Sequence, residues 1–201
     1  MKITIILNGN FFNFKPYINK DEFIIAADGG ASHCRQLKIK PHLIIGDLDS
    51  ITKETQEYFF DVPQTKIIDQ ETTDLEKVIN YIKNNLDQRE KIEQINIFCA
   101  ASFDRLDHFM ANLFLIGRFI KWPVDVIDEK FVIKYLSQDT IIKKLKNKTV
   151  SIFPVDHCVG LKLIGFLWPL NHKKYSISNI IQSDQAEIKI AKGKVILIIN
   201  K

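Results

Sequence analysis

Short β-branched runs, each stopped by an acid or a glycine, constrain this chain more than any other feature. Lys2-Ile3-Thr4-Ile5-Ile6-Leu7 ends at Asn8-Gly9, Phe23-Ile24-Ile25-Ala26-Ala27 ends at Asp28-Gly29-Gly30, and Leu43-Ile44-Ile45 ends at Gly46-Asp47-Leu48-Asp49-Ser50. Apolar runs of this length bounded by turn residues read as buried strands. Lys66-Ile67-Ile68 before Asp69, and Gln94-Ile95-Asn96-Ile97-Phe98, add two more. Helical stretches fall between them, at about 31–37 and 52–60. A third helix opens at Thr73, where Thr73 and Glu76 have capping-box spacing and Leu75, Val78, Ile79, Ile82 and Leu86 follow helical period. A fourth carries Leu106, Phe109, Met110, Leu113, Phe114 and Ile120, apolar nearly all round, which predicts a buried helix.

Strands alternating with helices at this spacing predict a parallel sheet with helices on both faces, a Rossmann-like α/β domain. From about Val124 the pattern changes to short strand-like runs alone, at 131–136, 149–154, 161–167, 187–191 and 194–200. The last two are expected to form a hairpin across Lys192-Gly193. The reading is therefore an α/β domain over residues 1–130 and an all-β domain over 131–201. A chain of 201 residues has room for two small cores, and 46% hydrophobic content excludes a disordered protein.

Charge and cysteine content narrow the function. The 28 basic residues exceed the 24 acidic ones by only four and are scattered rather than striped, which argues against nucleic-acid binding. Cys34, Cys99 and Cys158 are odd in number and far apart, so neither a disulfide framework nor a CxxC metal site is expected, and a reducing cytoplasm fits. No apolar run approaches the roughly 18 residues of a membrane span. The eight glycines form neither GxGxxG nor GxxxxGK[ST], so nucleotide binding here needs another device.

That device is positional. Asp28, Asp47, Asp49, Asp69 and Asp74 all lie at or just beyond the carboxyl end of a predicted strand, where open parallel sheets bind ligands. Asp47 and Asp49, two residues apart, point the same way if the backbone stays extended through Leu48. Convergent carboxylates repel unless a cation sits between them, and oxygen-only ligation points to Mg²⁺ held with substrate phosphates. Each acid also has a local reading: Asp28-Gly29-Gly30 as a turn with a helix cap, Asp47 to Ser50 as an Asx turn, Asp74 as a dipole partner. Turns alone do not require acids at the same end of three separate strands. Arg105, where the fifth strand meets the apolar helix, suits phosphate together with the free amides of a helix N-terminus. Its local alternative is a surface pair with Asp107. The remaining histidines, His33, His42, His157 and His172, show no ligand spacing and read as structural, and His108 reads most simply as packed on its helix face.

Taken in order, Ala27-Asp28-Gly29-Gly30-Ala31, Gly46-Asp47-Leu48-Asp49-Ser50, Thr73-Asp74, and Arg105-Leu106-Asp107-His108 with Asn112 resemble the thiamine pyrophosphokinase family. Gly165-Phe166-Leu167-Trp168-Pro169-Leu170 is similar to its Gly-Leu-Lys-Tyr-Pro-Leu segment, and Ser176-Ile177-Ser178-Asn179 to its Ser-Asn motif. The resemblance implies transfer of pyrophosphate from ATP to thiamine, giving thiamine diphosphate and AMP with Mg²⁺, by an N-terminal α/β domain and a C-terminal β-sandwich domain in a homodimer with active sites at the interface. It implies that Asp47, Asp49 and Asp74 hold the metal and the ATP phosphates and, with Arg105, carry catalysis. Asp28, Gly29, Thr73 and Asp107 would line the nucleotide region, and Ser178 and Asn179 would lie near thiamine. The chain departs from the family at Ala100-Ala101-Ser102-Phe103-Asp104, where Gly-Ala-Thr-Gly-Gly is usual, and at Glu71, which takes the place of the family's acid. Two other readings stand beside this one: a pyrophosphokinase for another hydroxymethyl heterocycle such as a pterin, and a non-catalytic thiamine- or nucleotide-binding protein.

Overall fold

The first, second, third and fifth predicted strands appear in the computed structural model as β1 (Lys2–Ile6), β2 (Phe23–Ala27), β3 (Leu43–Gly46) and β5 (Gln94–Phe98); β4 (Gln64–Lys66) meets the run expected at 66–68 only at Lys66, and β6 (Val124–Ile127) completes the set. The structure describes residues 1–69, 71–102, 104–119, 121–155, 157–170 and 175–201, with 118 and 119 described by backbone only. Phe103, Ile120 and His172 thus lie outside the described residues. The chain divides into two compact units, Met1–Glu129 and Lys130–Lys201.

In the first unit every strand pairing is parallel, in the spatial order β6-β5-β1-β2-β3-β4. The chain runs outward from β1 to β4, then returns to the other side of β1 for β5 and β6. That reversal makes the gap between the ends of β1 and β5 a topological switch point, where an open α/β sheet has its crevice. Burial on both faces explains the near-continuous apolar runs: Ile3, Ile5, Ile6, Ile25, Ala26, Ala27, Ile45, Ile95, Ile97 and Phe98 are all fully buried.

The helices are α1 (Gly30–Gln36), α2 (Lys53–Tyr58), α3 (Asp74–Tyr81) and α4 (Leu106–Phe119). Thr73 caps α3 as its spacing predicts, its hydroxyl accepting from the Glu76 N–H at 3.2 Å, and α3 runs on into a π-helical turn at Ile82–Leu86. The expectation of a wholly buried α4 does not hold. Leu106, Met110 and Phe114, spaced four apart on one face, are 61%, 43% and 54% exposed, while Asn112 and Ile116 are buried. Apolar residues all round a helix do not supply neighbours for every face. Among the described residues, no helix is long and apolar enough to cross a membrane.

The second unit is antiparallel. One sheet holds β7 (Phe131–Leu136), β9 (Thr149–Pro154), β11 (Ser176–Ile180) and β13 (Val195–Asn200), in the order β11-β9-β13-β7. The other orders β10 (Lys162–Ile164), β12 (Gln185–Lys189) and β8 (Thr140–Lys143) as β10-β12-β8. The hairpin expected across Lys192-Gly193 is absent, because β12 and β13 belong to different sheets. The turn instead carries the chain from one sheet to the other, so that Ala186 and Ile188 of β12 and Val195, Leu197 and Ile199 of β13 enter one core together. A hairpin would have kept both strands in one layer.

Replacing Ile188, fully buried in β12, by Ala is expected to cost about 2–5 kcal/mol of stability. The same change at Ile141 in β8, which is 58% exposed, is expected to fall within about 0.5 kcal/mol of wild type. Urea unfolding of the two variants checks the contrast.

Candidate active site

The acids gather because the ends of neighbouring strands do. The Asp28 N–H donates to the Ile45 carbonyl at 2.7 Å and the Ile67 N–H to the Gly46 carbonyl at 2.8 Å, carrying the parallel ladders just past β2 and β3. Gly46 permits the closest approach, since a Cβ there would lie 2.7 Å from the Asp28 Cβ. Asp28 itself has φ 45°, the left-handed region that Asp and Asn tolerate better than most residues.

One carboxylate oxygen from each of Asp28, Asp47 and Asp49 lies within 4.8 Å of the others. Asp47 and Asp49 do not reach this arrangement through an extended Leu48. Leu48 has φ 68°, and the turn it makes lets the Asp49 N–H donate to Asp47 Oδ1 at 3.4 Å. Asp28 is buried, and its Oδ1 has no hydrogen-bond partner among the described residues. A buried acceptor left without a donor costs free energy. Burial raises the Asp28 carboxyl above its ordinary range, as do the charges of Asp74 and Asp47, against a hydrogen bond from Ser50.

Asp74 stands outside the trio but shares a partner with it. Lys77 Nζ lies 3.3 Å from Asp47 Oδ2 and 3.3 Å from Asp74 Oδ1, and the Lys77 side chain is only 3% exposed. Desolvation opposes the Lys77 charge, but Asp74 and Asp47 outweigh it and hold its pKa above the usual value. For Asp47 desolvation also opposes ionisation; the Asp49 N–H and Lys77 overcome it and leave the carboxyl below its ordinary range. Lys77 escapes sequence reasoning because a helical wheel sets it across α3 from Leu75, Ile79 and Ile82, on the side expected to meet solvent. Its one usable signal is the i, i+3 spacing to Asp74.

Beside the acids is an open cleft of about 230 Å³ at the switch point, lined by residues from five places in the first unit. Asn8 and Gly9 follow β1, Ser50 follows β3, Thr73 and Asp74 open α3, Ala100 and Ser102 follow β5, and Arg105 immediately precedes α4, on which His108 and Asn112 lie. Gly29 makes room above α1 for Asn8, whose side chain occupies the space a Cβ would take. Arg105 combines both of its readings: it lines the cleft, its Nη2 donates to Asp107 Oδ2 at 3.0 Å, and it touches His108. Asp107 is exposed and does not line the cleft. Asp69 ties its own loop, accepting from the Glu71 N–H and the Thr72 hydroxyl. His33 Nε2 donates to the Gly9 carbonyl at 2.9 Å and His42 Nδ1 accepts from the Ile24 N–H, so both imidazoles brace backbone.

Ser178 and Asn179 lie in the second unit, on β11. Ser178 is exposed with φ 52°; Asn179 is fully buried.

Residues 14–128 match a family model described as thiamin pyrophosphokinase, catalytic domain, and residues 138–195 match thiamin pyrophosphokinase, vitamin B1 binding domain. Thiamine pyrophosphokinase 2 of Oryza sativa subsp. japonica is 26% identical over 92% of this chain and 81% of its own length. Thiamine pyrophosphokinase 2 of Arabidopsis thaliana is 28% identical over 89% of this chain and 76% of its own. For thiamine pyrophosphokinase 1 of Oryza sativa subsp. japonica, 29% identical, the match spans 58% of this chain and about half, 51%, of the relative. In fold, the thiamine pyrophosphokinase from Bacillus subtilis superposes with a TM-score of 0.83 at 23% identity, covering 100% of this chain and 99% of the other.

Asp28→Asn is expected to stabilise the metal-free protein by about 1 kcal/mol at pH 7. The sign follows from a folded pKa above the unfolded one: the folded state holds its proton longer, so stability falls as pH rises through that interval, and the penalty is complete above it. The gain should vanish at about pH 2.5, well below the ordinary aspartate range, where the carboxyl is protonated in both states. Thermal melts of wild type and variant at the two pH values measure it.

Proposed function

The chain belongs to the thiamin pyrophosphokinase family, and from that footing we propose that it transfers the pyrophosphoryl group of ATP to the hydroxyl of thiamine, releasing AMP and thiamine diphosphate. The observation that carries this reading is the trio of Asp28, Asp47 and Asp49 at the strand ends, beside a cleft that Arg105 and the start of α3 line.

The trio fits a divalent cation. Three carboxylate oxygens from two loops, within 4.8 Å of one another and including a residue with a buried oxygen that has no donor among the described residues, form the hard oxygen set that Mg²⁺ uses together with phosphates. The expected ligands are Asp47, Asp49 and Asp74; the geometry supports Asp47 and Asp49, with Asp28 as the third. When Mg²⁺ is bound there, the chemistry it supplies is neutralisation of phosphate charge. In this proposal Arg105 and the amides opening α4 hold phosphate oxygens, and Thr73 and Gly29 line the nucleotide side. Asp107 keeps the Arg105 guanidinium aimed by their hydrogen bonds. Asp74, which borders the cleft without joining the trio, accepts the proton of the thiamine hydroxyl as its oxygen attacks the β-phosphorus and AMP departs. Positioning and charge compensation do most of the work in such transfers, since the nucleophile is a simple alcohol.

Division of labour follows the two units: residues 1–130 bind ATP and the cation, and residues 131–201 bind thiamine and take part in dimerisation. The match of 138–195 to a vitamin B1 binding model supports the second role. Ser178 and the half-exposed Trp168 are the groups there best suited to a cationic heteroaromatic ring. Finer architecture is proposed likewise: the strand order supports a Rossmann-like first unit, and the core shared by two sheets supports a sandwich in the second. A homodimer is supported by the apolar row of Leu106, Met110 and Phe114 left at the surface of α4. Three free thiols support a reducing, cytoplasmic setting.

Incubation with ATP, Mg²⁺ and thiamine is expected to yield thiamine diphosphate and AMP in equal amounts, and a hydroxymethyl pterin in place of thiamine is expected to yield no AMP. Asp47→Ala should lower the rate by on the order of a thousandfold with an unchanged far-UV circular dichroism spectrum. Near-normal turnover by that variant would refute the assignment of the acids, and thiamine binding without AMP release by the wild type would favour the binding-protein reading.

A further inference from the structure

Asn179 lies on β11, fully buried, next to a break in the strand's regularity. The pairing of β11 with β9 shifts register between Ser176 and Asn179, and Ser178 between them has φ 52°. A carboxamide offers two N–H donors and an oxygen with two acceptor sites, and here all four are used. Nδ2 donates to the Trp168 carbonyl at 2.7 Å and to Ser176 Oγ at 2.9 Å; Oδ1 accepts from the Trp168 N–H at 3.1 Å and the Ile180 N–H at 2.9 Å. Nothing remains on this side chain with which to bind a ligand.

The two bonds to Trp168 engage both the N–H and the C=O of one residue, as a neighbouring strand does. Backbone links continue the same seam: the Leu167 N–H donates to the Ile180 carbonyl, Phe166 bridges Ile181, and the Gln182 and Ser183 N–H groups donate to the Gly165 carbonyl. Where the turned backbone at Ser178 interrupts the strand, the Asn179 side chain extends the seam by one residue. It thereby fastens the backbone of Trp168, whose side chain is nevertheless 51% exposed. A large indole held at the surface on a fixed backbone has part of its ordering cost met before any ligand arrives.

We infer that Asn179 is a positioning residue that acts through Trp168, holding that indole as a ready aromatic face for the cationic rings of thiamine without itself touching them. The inference rests on the thiamine reading of the second unit, and the experiment separates the two. Iodide reaches the emission of the exposed Trp168 and not that of Trp122, which is 8% exposed, so quenching reports on Trp168 without further substitution. Asn179→Ala is expected to change Trp168 quenching and raise KM for thiamine about tenfold, with KM for ATP unchanged. In a Trp168→Ala background it should raise KM for thiamine no further. Asn179→Asp, equal in volume and keeping the acceptor, places an oxygen against the Trp168 carbonyl and should produce the same pattern should the alanine variant not fold. Unchanged quenching and unchanged KM in a folded variant would overturn the inference. So would a higher KM with unmoved quenching, or one that persists in the Trp168→Ala background, since either means direct contact. Altered quenching in variants of a protein that never forms thiamine diphosphate would leave Asn179 as the anchor of Trp168 and refute the thiamine reading alone.

Discussion

One ammonium group makes this arrangement of acids tenable. Asp28, Asp47, Asp49 and Asp74 are brought to one end of a sheet by strand pairing, and carboxylates so placed repel one another. Lys77, 3% exposed and 3.3 Å from both Asp47 and Asp74, compensates two of them from inside the fold. The remaining excess falls on Asp28 and Asp49, where the trio gathers and where Asp28 keeps a buried oxygen without a donor. Internal compensation is thus partial, and the part left over lies beside the cleft where substrate and cation are proposed to bind. A second lysine at this place would have removed the need for a cation. None would have left the strand ends to repel.

Much of this was legible in the residues themselves. β1, β2, β3 and β5 announce themselves because burial on both faces demands apolar runs, and Asp28 and Asp47 follow directly on β2 and β3. The positions of Asp28, Asp47 and Asp49 followed from that. Their convergence did not depend on the extended geometry expected of Leu48; a left-handed residue achieved it instead. Helix α3 was readable down to its Thr73 cap, yet Lys77 was not, since a wheel records the core face and is blind to charges waiting at a strand end. Periodicity also overreached for α4, where apolar character was taken as burial although Leu106, Met110 and Phe114 face outward. In the second unit the alternation along β12 and β13 identified strands but not their partners, because residues 187–191 and 194–200 pattern alike whether they pair or part.

The two units solve the problem of polar groups in opposite ways. At the strand ends beside the cleft, Asp28 keeps a buried oxygen that no described residue satisfies. On β11, Asn179 spends every donor and acceptor it has on neighbouring chain. Sequence motifs treat both as conspicuous polar residues near a site, and hydrogen-bond accounting distinguishes them: an unsatisfied group awaits something, whereas a satisfied one holds something in place.

The order of strands has a bearing on how the protein is made. The first unit has all its strands by residue 127, so its sheet can close while synthesis continues. The second unit has β13, residues 195–200, lying between β7 and β9 rather than at an edge. Until that segment has left the ribosome, β7 and β9 have no common neighbour, and their apolar faces wait without a centre. The second unit's sheet of β7, β9, β11 and β13 is therefore completed after the first unit's strands have emerged, and β7 and β9 depend on residues 195–200 to unite them.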